Sequence, residues 1–111
     1  MKTQTSYRYI QDPGHGWIEV PRAELDALEI AHRVSLYSYQ LGPWVYLEED
    51  CDAGLWIGAR AAQGFPVGQD ELHEEHTDTE SFIRDLERYR PSPNLRAQTA
   101  ARIAAAFGGA I

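Results

Sequence analysis

The chemically active side chains of this sequence are concentrated in a run of carboxylates near its middle. Residues 48–80 contain ten acidic residues and a single base, Arg60, in a chain of 111 residues with a formal net charge of -7. Carboxylates can take the place of nucleic-acid phosphates by accepting charge-assisted hydrogen bonds from arginine. We therefore predict an acidic binding face, formed by Glu48, Glu49, Asp50, Asp52, Asp70, Glu71, Glu74 and Glu75. A merely solubilising acidic surface is the alternative.

A histidine between two glycines, in the segment Asp12-Pro13-Gly14-His15-Gly16, is the next candidate for chemistry. His15 could exchange protons near neutral pH. Alternatively, the glycines could simply adopt the positive φ angles of a hairpin turn. Tyrosine and tryptophan often anchor protein interfaces, although these rings could also serve the core. A second predicted binding group therefore comprises His15, Trp17, Tyr37, Tyr39 and Trp44.

Two further histidines, His73 and His76, are candidates for a metal site together with Asp78. Their spacing of three differs from the spacing of four that zinc proteases use on a helix. On a strand the two side chains would point to opposite faces, whereas on a helix they could converge, with Asp78 or Asp70 as a further ligand. We predict a solvated charged edge here and no cofactor, and we keep the metal site as the alternative.

Cys51 is the only cysteine, so a disulfide within the chain is excluded. Its four acidic neighbours, at positions 48–50 and 52, should raise the pKa of its thiol more than a helix start would lower it. We therefore assign no catalytic residue.

The composition excludes several classes of function. An acidic chain repels nucleic acid and attracts basic protein surfaces, so no direct nucleic-acid binding is expected. The sequence has no secretory signal core and no apolar run of about 18 residues, so we predict a cytoplasmic protein without membrane contact.

The hydrophobic pattern indicates one α+β domain over residues 1–111, with an antiparallel sheet of four to five strands built from two hairpins. Three to four helices should pack mainly on one face of the sheet, and some aromatic rings should lie on the other face. The predicted strands are residues 7–10, 17–20, 35–41 and 44–47, with a short charged edge strand at 72–76. The predicted helices are residues 22–30, a segment from Asp50 or Asp52 to Gly64, residues 77–89 and residues 95–107.

The stretch YIQDPGHGWIEVPRAELDALEI, followed by YSYQ, VYLEEDCDAG and FIRDLERYRP, resembles small uncharacterised proteins carried by bacterial phages and plasmids. The likeness covers most of the chain and transfers no catalytic residue. It implies a mobile-element setting, in which small acidic proteins are often inhibitors of host defence machinery, including anti-CRISPR proteins and other DNA mimics.

Three functional hypotheses follow. The first is an acidic protein-binding module that engages a basic host protein or complex and inhibits a nucleic-acid-handling defence system. The second is a small hydrolase or metal-dependent enzyme that uses His15 or the pair His73 and His76. The third is a self-associating accessory protein, because the small residues near the C-terminus would let two helices approach closely in a homodimer.

Overall fold

The first two strands form the predicted hairpin, and four more strands extend it into one sheet. The computed structural model describes residues 6–91, so the predicted helix at 95–107 lies outside the described residues. The strands are β1 (Tyr7–Gln11), β2 (Gly16–Pro21), β3 (Tyr39–Leu41), β4 (Trp44–Glu48), β5 (Leu72–His76) and β6 (Glu87–Arg88). Their order across the sheet is β5-β1-β2-β4-β3-β6.

All neighbouring strands are antiparallel except β5, which runs parallel to β1. The β3–β4 hairpin turns tightly at Gly42, whose φ of 56° is a conformation that glycine adopts without strain. The parallel pair joins residues more than sixty positions apart, Tyr7 with Leu72 and Gln11 with His76. The sheet is therefore mixed. The last two strands in the sequence, β5 and β6, lie at its two edges.

Two α-helices cover one face of the sheet: α1 (Arg22–Ala27) and α2 (Asp52–Ala62). Short 3-10 turns lie at Ala31–Arg33, Gln69–Glu71 and Phe82–Asp85. Among residues 6–91, no helix is long and apolar enough to cross a membrane.

Alternation along the strands divides the apolar side chains between the two faces. The main core lies between the sheet and the helices, and includes Ile18, Val20, Val45, Leu47 and Trp56. A second core lies on the opposite face and consists of Ile10, Trp17, Tyr39, Tyr46 and Ile83. The prediction that some aromatic rings lie on the face away from the helices is confirmed.

A buried polar cluster connects the helices to the sheet. The Glu24 carboxylate accepts hydrogen bonds from the Tyr7 hydroxyl (2.8 Å) and the Trp56 indole (2.9 Å). The guanidinium of Arg60, a residue only 2% exposed, packs 5.3–5.6 Å from the rings of Tyr7, Trp56 and Phe65. These contacts provide a buried carboxylate and a buried guanidinium with polar and aromatic partners.

The predicted fold class is wrong in two respects. The sheet has six strands with one parallel pair instead of four to five antiparallel strands, and residues 6–91 contain two α-helices instead of three. Residues 77–89 do not form a helix, because Ile83 packs in the second core while Tyr89 packs in the main core. A helix would have placed both side chains along a single stripe.

Candidate functional site

An open cleft of about 360 Å³ lies where β2 begins and β4 ends, on the face of the second core. Trp17 is paired with Glu48 across these two strands, so the cleft forms beside that pair. We call it the acidic–aromatic cleft. Its lining residues are His15, Trp17, Tyr37, Tyr39, Glu48, Asp50, Cys51, Arg84 and Arg88.

Two buried rings and two guanidinium groups line part of the cleft. The rings of Trp17 and Tyr39 meet edge to face, with centroids 6.2 Å apart. The guanidinium of Arg84 lies 5.6 Å from the Trp17 ring, and that of Arg88 lies 4.5 Å from the Tyr39 ring. Cation–π attraction therefore holds both arginines against the aromatic pair.

Arg84 is also neutralised by Asp12, a fully buried carboxylate in the hairpin turn. Asp12 accepts five N–H groups, two from the Arg84 guanidinium (2.6 and 2.9 Å) and three from the backbone of Gly14, His15 and Ser81. The Arg84 hydrogen bonds are the largest of the effects that hold the Asp12 pKa far below its ordinary value. Asp12 thus fixes the His15 turn and the Phe82–Asp85 turn relative to each other.

The glycines that flank His15 provide space for close contacts. A Cβ atom on Gly14 would lie 2.9 Å from Arg84 Nη2, and one on Gly16 would lie 2.8 Å from the Tyr9 ring. Neither glycine has a positive φ; among the described glycines only Gly42 and Gly64 do. The expectation that this turn needs positive φ angles is therefore wrong, and close packing is the reason for its glycines.

A loop that α2 holds in place supplies another part of the cleft lining, Tyr37. The Asp52 carboxylate, in the first residue of α2, accepts hydrogen bonds from the Ser35 backbone N–H (3.1 Å), the Ser35 hydroxyl (2.7 Å) and the Ser38 hydroxyl (2.5 Å). Between these two serines, Leu36 is 68% exposed and Tyr37 is 65% exposed. Two large apolar side chains are therefore presented to solvent on a well-anchored loop.

Carboxylates and a thiol complete the cleft. One oxygen of Glu48 accepts the Asp50 backbone N–H (2.9 Å), and the other lies 3.6 Å from His15 Nδ1. The side chain of Asp50 is exposed and makes no hydrogen bond or ion pair with any residue between 6 and 91. Glu48 is thus engaged by groups of the chain itself, whereas the Asp50 carboxylate is open to solvent at the cleft.

Desolvation, a hydrogen bond to Glu48 and the negative charges of Glu48, Asp52 and Asp50 raise the pKa of the Cys51 thiol. Because desolvation is the largest of these effects and every one acts in the same direction, the thiol remains protonated near neutral pH. This agrees with the expectation from its acidic neighbours and makes Cys51 a poor nucleophile.

The predicted acidic face separates into residues with different roles. Glu48 and Asp52 are buried. Glu75 pairs with Arg8 (2.7 Å) and Glu71 with Arg60 (3.4 Å). Both partners lie before residue 61, so neither of these pairs involves the arginines near the C-terminus.

Three of the remaining acids gather near the hydroxyl of Tyr9. Tyr9 donates to Glu49, and its pKa is raised to about 12 by burial, by this hydrogen bond and by the negative charges of Glu49, Glu74 and Asp50. These three carboxylates therefore act together on one point, and Tyr9 and Glu74 line a separate cleft on the face of the main core. Asp70 is exposed at the entrance to β5.

The remaining predicted site residues lie elsewhere. Trp44 is half-buried at the far end of β4, against the second core. His73 and His76 lie on β5, where a spacing of three directs them to opposite faces. In the described part of the chain, no three His, Cys, Asp and Glu side chains are arranged to hold a metal ion.

Four of the five predicted aromatic and turn residues line this cleft: His15, Trp17, Tyr37 and Tyr39. The sequence analysis did not predict that Arg84 and Arg88 would line it as well. Both arginines belong to a segment predicted to be a helix, and nothing in their spacing signals contact with Trp17 or Tyr39. The sequence matches no protein-family model, no curated protein and no solved structure.

Proposed function

We propose that this protein is an acidic protein-binding module whose contact surface is the acidic–aromatic cleft together with the Leu36–Tyr37 loop. The observation that carries the proposal is the position of Tyr37, which is 65% exposed and lines the same cleft as Glu48 and Asp50. An aromatic anchor beside carboxylates is suited to a basic protein surface.

The anchoring of the loop by Asp52 supports a role in binding. Flexible loops lose conformational freedom when they bind, and this loss lowers affinity. The loop that carries Leu36 and Tyr37 is already tied down by hydrogen bonds from both of its serines. A partner would therefore meet two apolar side chains that need little further ordering.

The charge distribution supports a basic partner. All 17 acidic residues lie within the described residues 6–91, whereas Lys2, Arg96 and Arg102 lie outside. Glu48 and Asp50 line the cleft and Glu49 lies between them along the chain, so negative charge is concentrated where β4 ends. Such a field accelerates association with a positively charged surface and weakens as salt is added.

The resemblance to phage and plasmid proteins suggests what this partner is. In our proposal it is a host complex that handles nucleic acid, and the module inhibits it by covering an arginine-rich surface that nucleic acid would otherwise occupy. The exposed carboxylates support this as acceptors of charge-assisted hydrogen bonds.

Capture from bacterial lysate at low and high salt tests the proposal, with four forms of the protein compared. Wild type and Asp78→Lys should retain the same nucleic-acid-handling protein at low salt, whereas Tyr37→Ala and Asp50→Lys should lose it. Asp78→Lys is the matched control because it makes the same charge change at an exposed acid that does not line the cleft. Equal retention by all four forms, or retention unaffected by salt, would contradict the proposal.

A hydrolase is the second candidate, favoured by the 3.6 Å separation of His15 Nδ1 from Glu48 Oε1 at the cleft. A carboxylate in this position can orient a histidine that acts as a general base. Cleavage of an activated ester tests this candidate: wild type should exceed His15→Gln clearly, and equal rates would remove it.

A further inference from the structure

A buried hydrogen-bond donor of the acidic–aromatic cleft has no acceptor. Trp17 lines the cleft and is only 2% exposed, and its indole Nε1–H meets no hydrogen-bond partner among residues 6–91. In that part of the chain one other buried polar side-chain atom is unpartnered, Asp26 Oδ1, and Asp26 does not line the cleft. An indole N–H can only donate, so it requires an acceptor oxygen.

The chain satisfies its other fully buried indole. Trp56 has no exposed surface, and its Nε1–H donates to the Glu24 carboxylate at 2.9 Å. Because an unpaired buried donor lowers stability, such groups are few in folded proteins. The contrast between the two indoles favours a binding role for the Trp17 N–H.

Two buried carboxylates at the cleft are already engaged by the chain. Asp12 accepts five N–H groups. Glu48 accepts the Asp50 backbone N–H and also hydrogen-bonds the Cys51 thiol. An acceptor for Trp17 therefore has to come from a ligand.

The charges of the lining favour a neutral ligand. The guanidinium groups of Arg84 and Arg88 and the carboxylates of Glu48 and Asp50 all line the cleft, so these four formal charges cancel. An anion would be attracted by the arginines and repelled by the carboxylates, and the reverse holds for a cation. An uncharged carbonyl oxygen accepts the N–H without bringing a charge into the cleft.

An open acceptor in the same lining narrows the class of ligand. The Asp50 side chain is exposed and makes no hydrogen bond or ion pair with any residue between 6 and 91. A primary amide combines an acceptor oxygen with N–H donors in one uncharged group. It is therefore complementary to an unpaired N–H and an open carboxylate, whereas an ester or a ketone provides the acceptor alone.

We propose that the acidic–aromatic cleft binds the side-chain amide of an asparagine or glutamine of the protein partner, whose carbonyl oxygen accepts the Trp17 Nε1–H. The cleft of about 360 Å³ is open and admits such a side chain from the surface. Because Trp17 is buried, a side chain of the lining moves aside on binding; Tyr37, which is 65% exposed, and His15, whose side chain is 48% exposed, have room to do so. The inference rests on the proposed function in that the amide belongs to the partner.

Nuclear magnetic resonance titration of the full chain with Nα-acetyl-L-glutamine amide tests the inference on the donor itself. The three tryptophans give three indole N–H signals. The Trp17 signal should move downfield as its proton gains an acceptor, whereas the Trp56 signal should stay, because that proton is already bonded to Glu24. Nα-acetyl-L-norvaline amide lacks the side-chain amide and should leave both in place. No shift with the glutamine compound, or an equal shift with the norvaline compound, would overturn the assignment.

Compounds of other charge test the neutrality of the ligand. Nα-acetyl-L-glutamate amide and Nα-acetyl-L-arginine amide should move the Trp17 signal less than the glutamine compound does at equal concentration. The affinity for the glutamine compound should be the same at low and high salt, because an uncharged ligand is not screened. A larger shift with either charged compound, or an affinity that falls with salt, would overturn the proposal.

One substitution removes the donor and keeps an aromatic ring. Trp17→Phe should weaken binding of the glutamine compound about three- to tenfold, the loss expected for one hydrogen bond, with the backbone signals of His15 and Cys51 as the readout. Trp44→Phe is the matched control, because Trp44 does not line the cleft, and it should bind like wild type. Equal binding by the two variants would contradict the role of Trp17. If Trp17→Phe does not fold, the indole titration of the wild type decides alone.

The outcome separates this inference from the proposed function. If the glutamine compound leaves the Trp17 signal in place but capture of the lysate partner still depends on Tyr37 and Asp50, the amide assignment is overturned and the binding module stands. If the signal moves but capture is insensitive to those residues, the proposed function is overturned and the amide site stands.

Discussion

Single carboxylates organise the cleft at the residue scale. Asp12 joins the hairpin turn to the Phe82–Asp85 turn, and Asp52 joins α2 to the Leu36–Tyr37 loop. Each of these aspartates accepts several donors, so each fixes two segments that are distant in sequence. The exposed groups of the cleft depend on these buried ones for their positions.

Replacing Asp12 with asparagine should lower the free energy of unfolding at pH 7 by about 2 kcal/mol, because charged hydrogen bonds to Arg84 are lost from a fully buried site. The folded-state pKa of Asp12 is depressed, so its contribution is present above the ordinary pKa of about 4 and declines as the pH falls below it. Urea unfolding of both proteins at pH 7 and pH 3 measures this. A difference that stays the same or grows at pH 3 would contradict the assignment.

Because the pKa of its thiol is raised, Cys51 should react slowly with a disulfide reagent at pH 8. The reaction rate should also continue to rise at pH values where the rate for an ordinary cysteine no longer changes. Asp50→Asn removes one of the charges responsible and should move the profile to lower pH. Since Cys51 is the only cysteine, absorbance of the released thiol reports on this side chain alone. A profile that is identical in both proteins would exclude a role for the Asp50 charge.

Sequence reasoning named several of the residues that line the cleft but could not separate their roles. Glu48, Asp50 and Asp52 are two residues apart and chemically alike, yet Glu48 and Asp52 are buried while Asp50 is exposed. Burial depends on the path of the chain after β4, which no local pattern reveals. The clustering of His15 with Tyr37 likewise depends on the order of strands in the sheet.

At the scale of elements, the short segment after β5 has a larger role than its length suggests. The 3-10 turn Phe82–Asp85 covers the second core with Ile83, and Tyr89 then crosses to the main core, where its hydroxyl donates to the Ala31 carbonyl (2.5 Å). One irregular segment therefore closes both faces of the sheet.

Ile83→Ala should destabilise the protein by about 2–4 kcal/mol, because it leaves a cavity at a fully buried position. The neighbouring Phe82→Ala is the matched control: Phe82 is 46% exposed, and its loss should cost no more than about 1 kcal/mol. Chemical denaturation of both variants compares them. Equal destabilisation would mean that the second core does not depend on this segment.

Local signals account for the elements that the sequence predicted well. The turn chemistry of Asp12–Gly16 gave the first hairpin, and the spacing of Leu55, Ala59 and Ala62 gave α2. The segment 77–89 has an equally good local signal for a helix, but its apolar side chains are needed on two different faces. Tertiary packing therefore overrode the local preference.

At the scale of the whole molecule, the sheet formed by residues 6–91 ends in two edge strands, β5 and β6, and charge protects one of them. Every residue of β5 except Leu72 is exposed, and Glu74 and Glu75 stand in its middle. Charged side chains on an edge strand discourage pairing with the edge of another molecule. The edge-strand prediction for residues 72–76 is confirmed, although its parallel pairing with β1 was not predicted.

Replacing Glu74 and Glu75 with threonine should promote self-association, because it removes two like charges and adds residues that favour strands. Light scattering over a range of protein concentrations should show a higher apparent mass than for wild type. Asp78→Asn with Glu80→Gln removes the same charge outside the strand and should behave like wild type. If both double variants associate equally, the total charge of the protein would control self-association, and the position of Glu74 and Glu75 on the edge strand would not.

The position of β5 and β6 at opposite edges has a consequence for synthesis on the ribosome. Strands β1 to β4 and both helices are complete once residue 62 has emerged, but Ile10, Trp17 and Tyr46 then have no cover. Ile83 supplies that cover about twenty residues later, and β5 joins β1 only after more than sixty residues of intervening chain. A nascent chain that stalls between these points presents an apolar sheet face to chaperones and proteases, so productive folding has to wait until the segment around Ile83 has emerged.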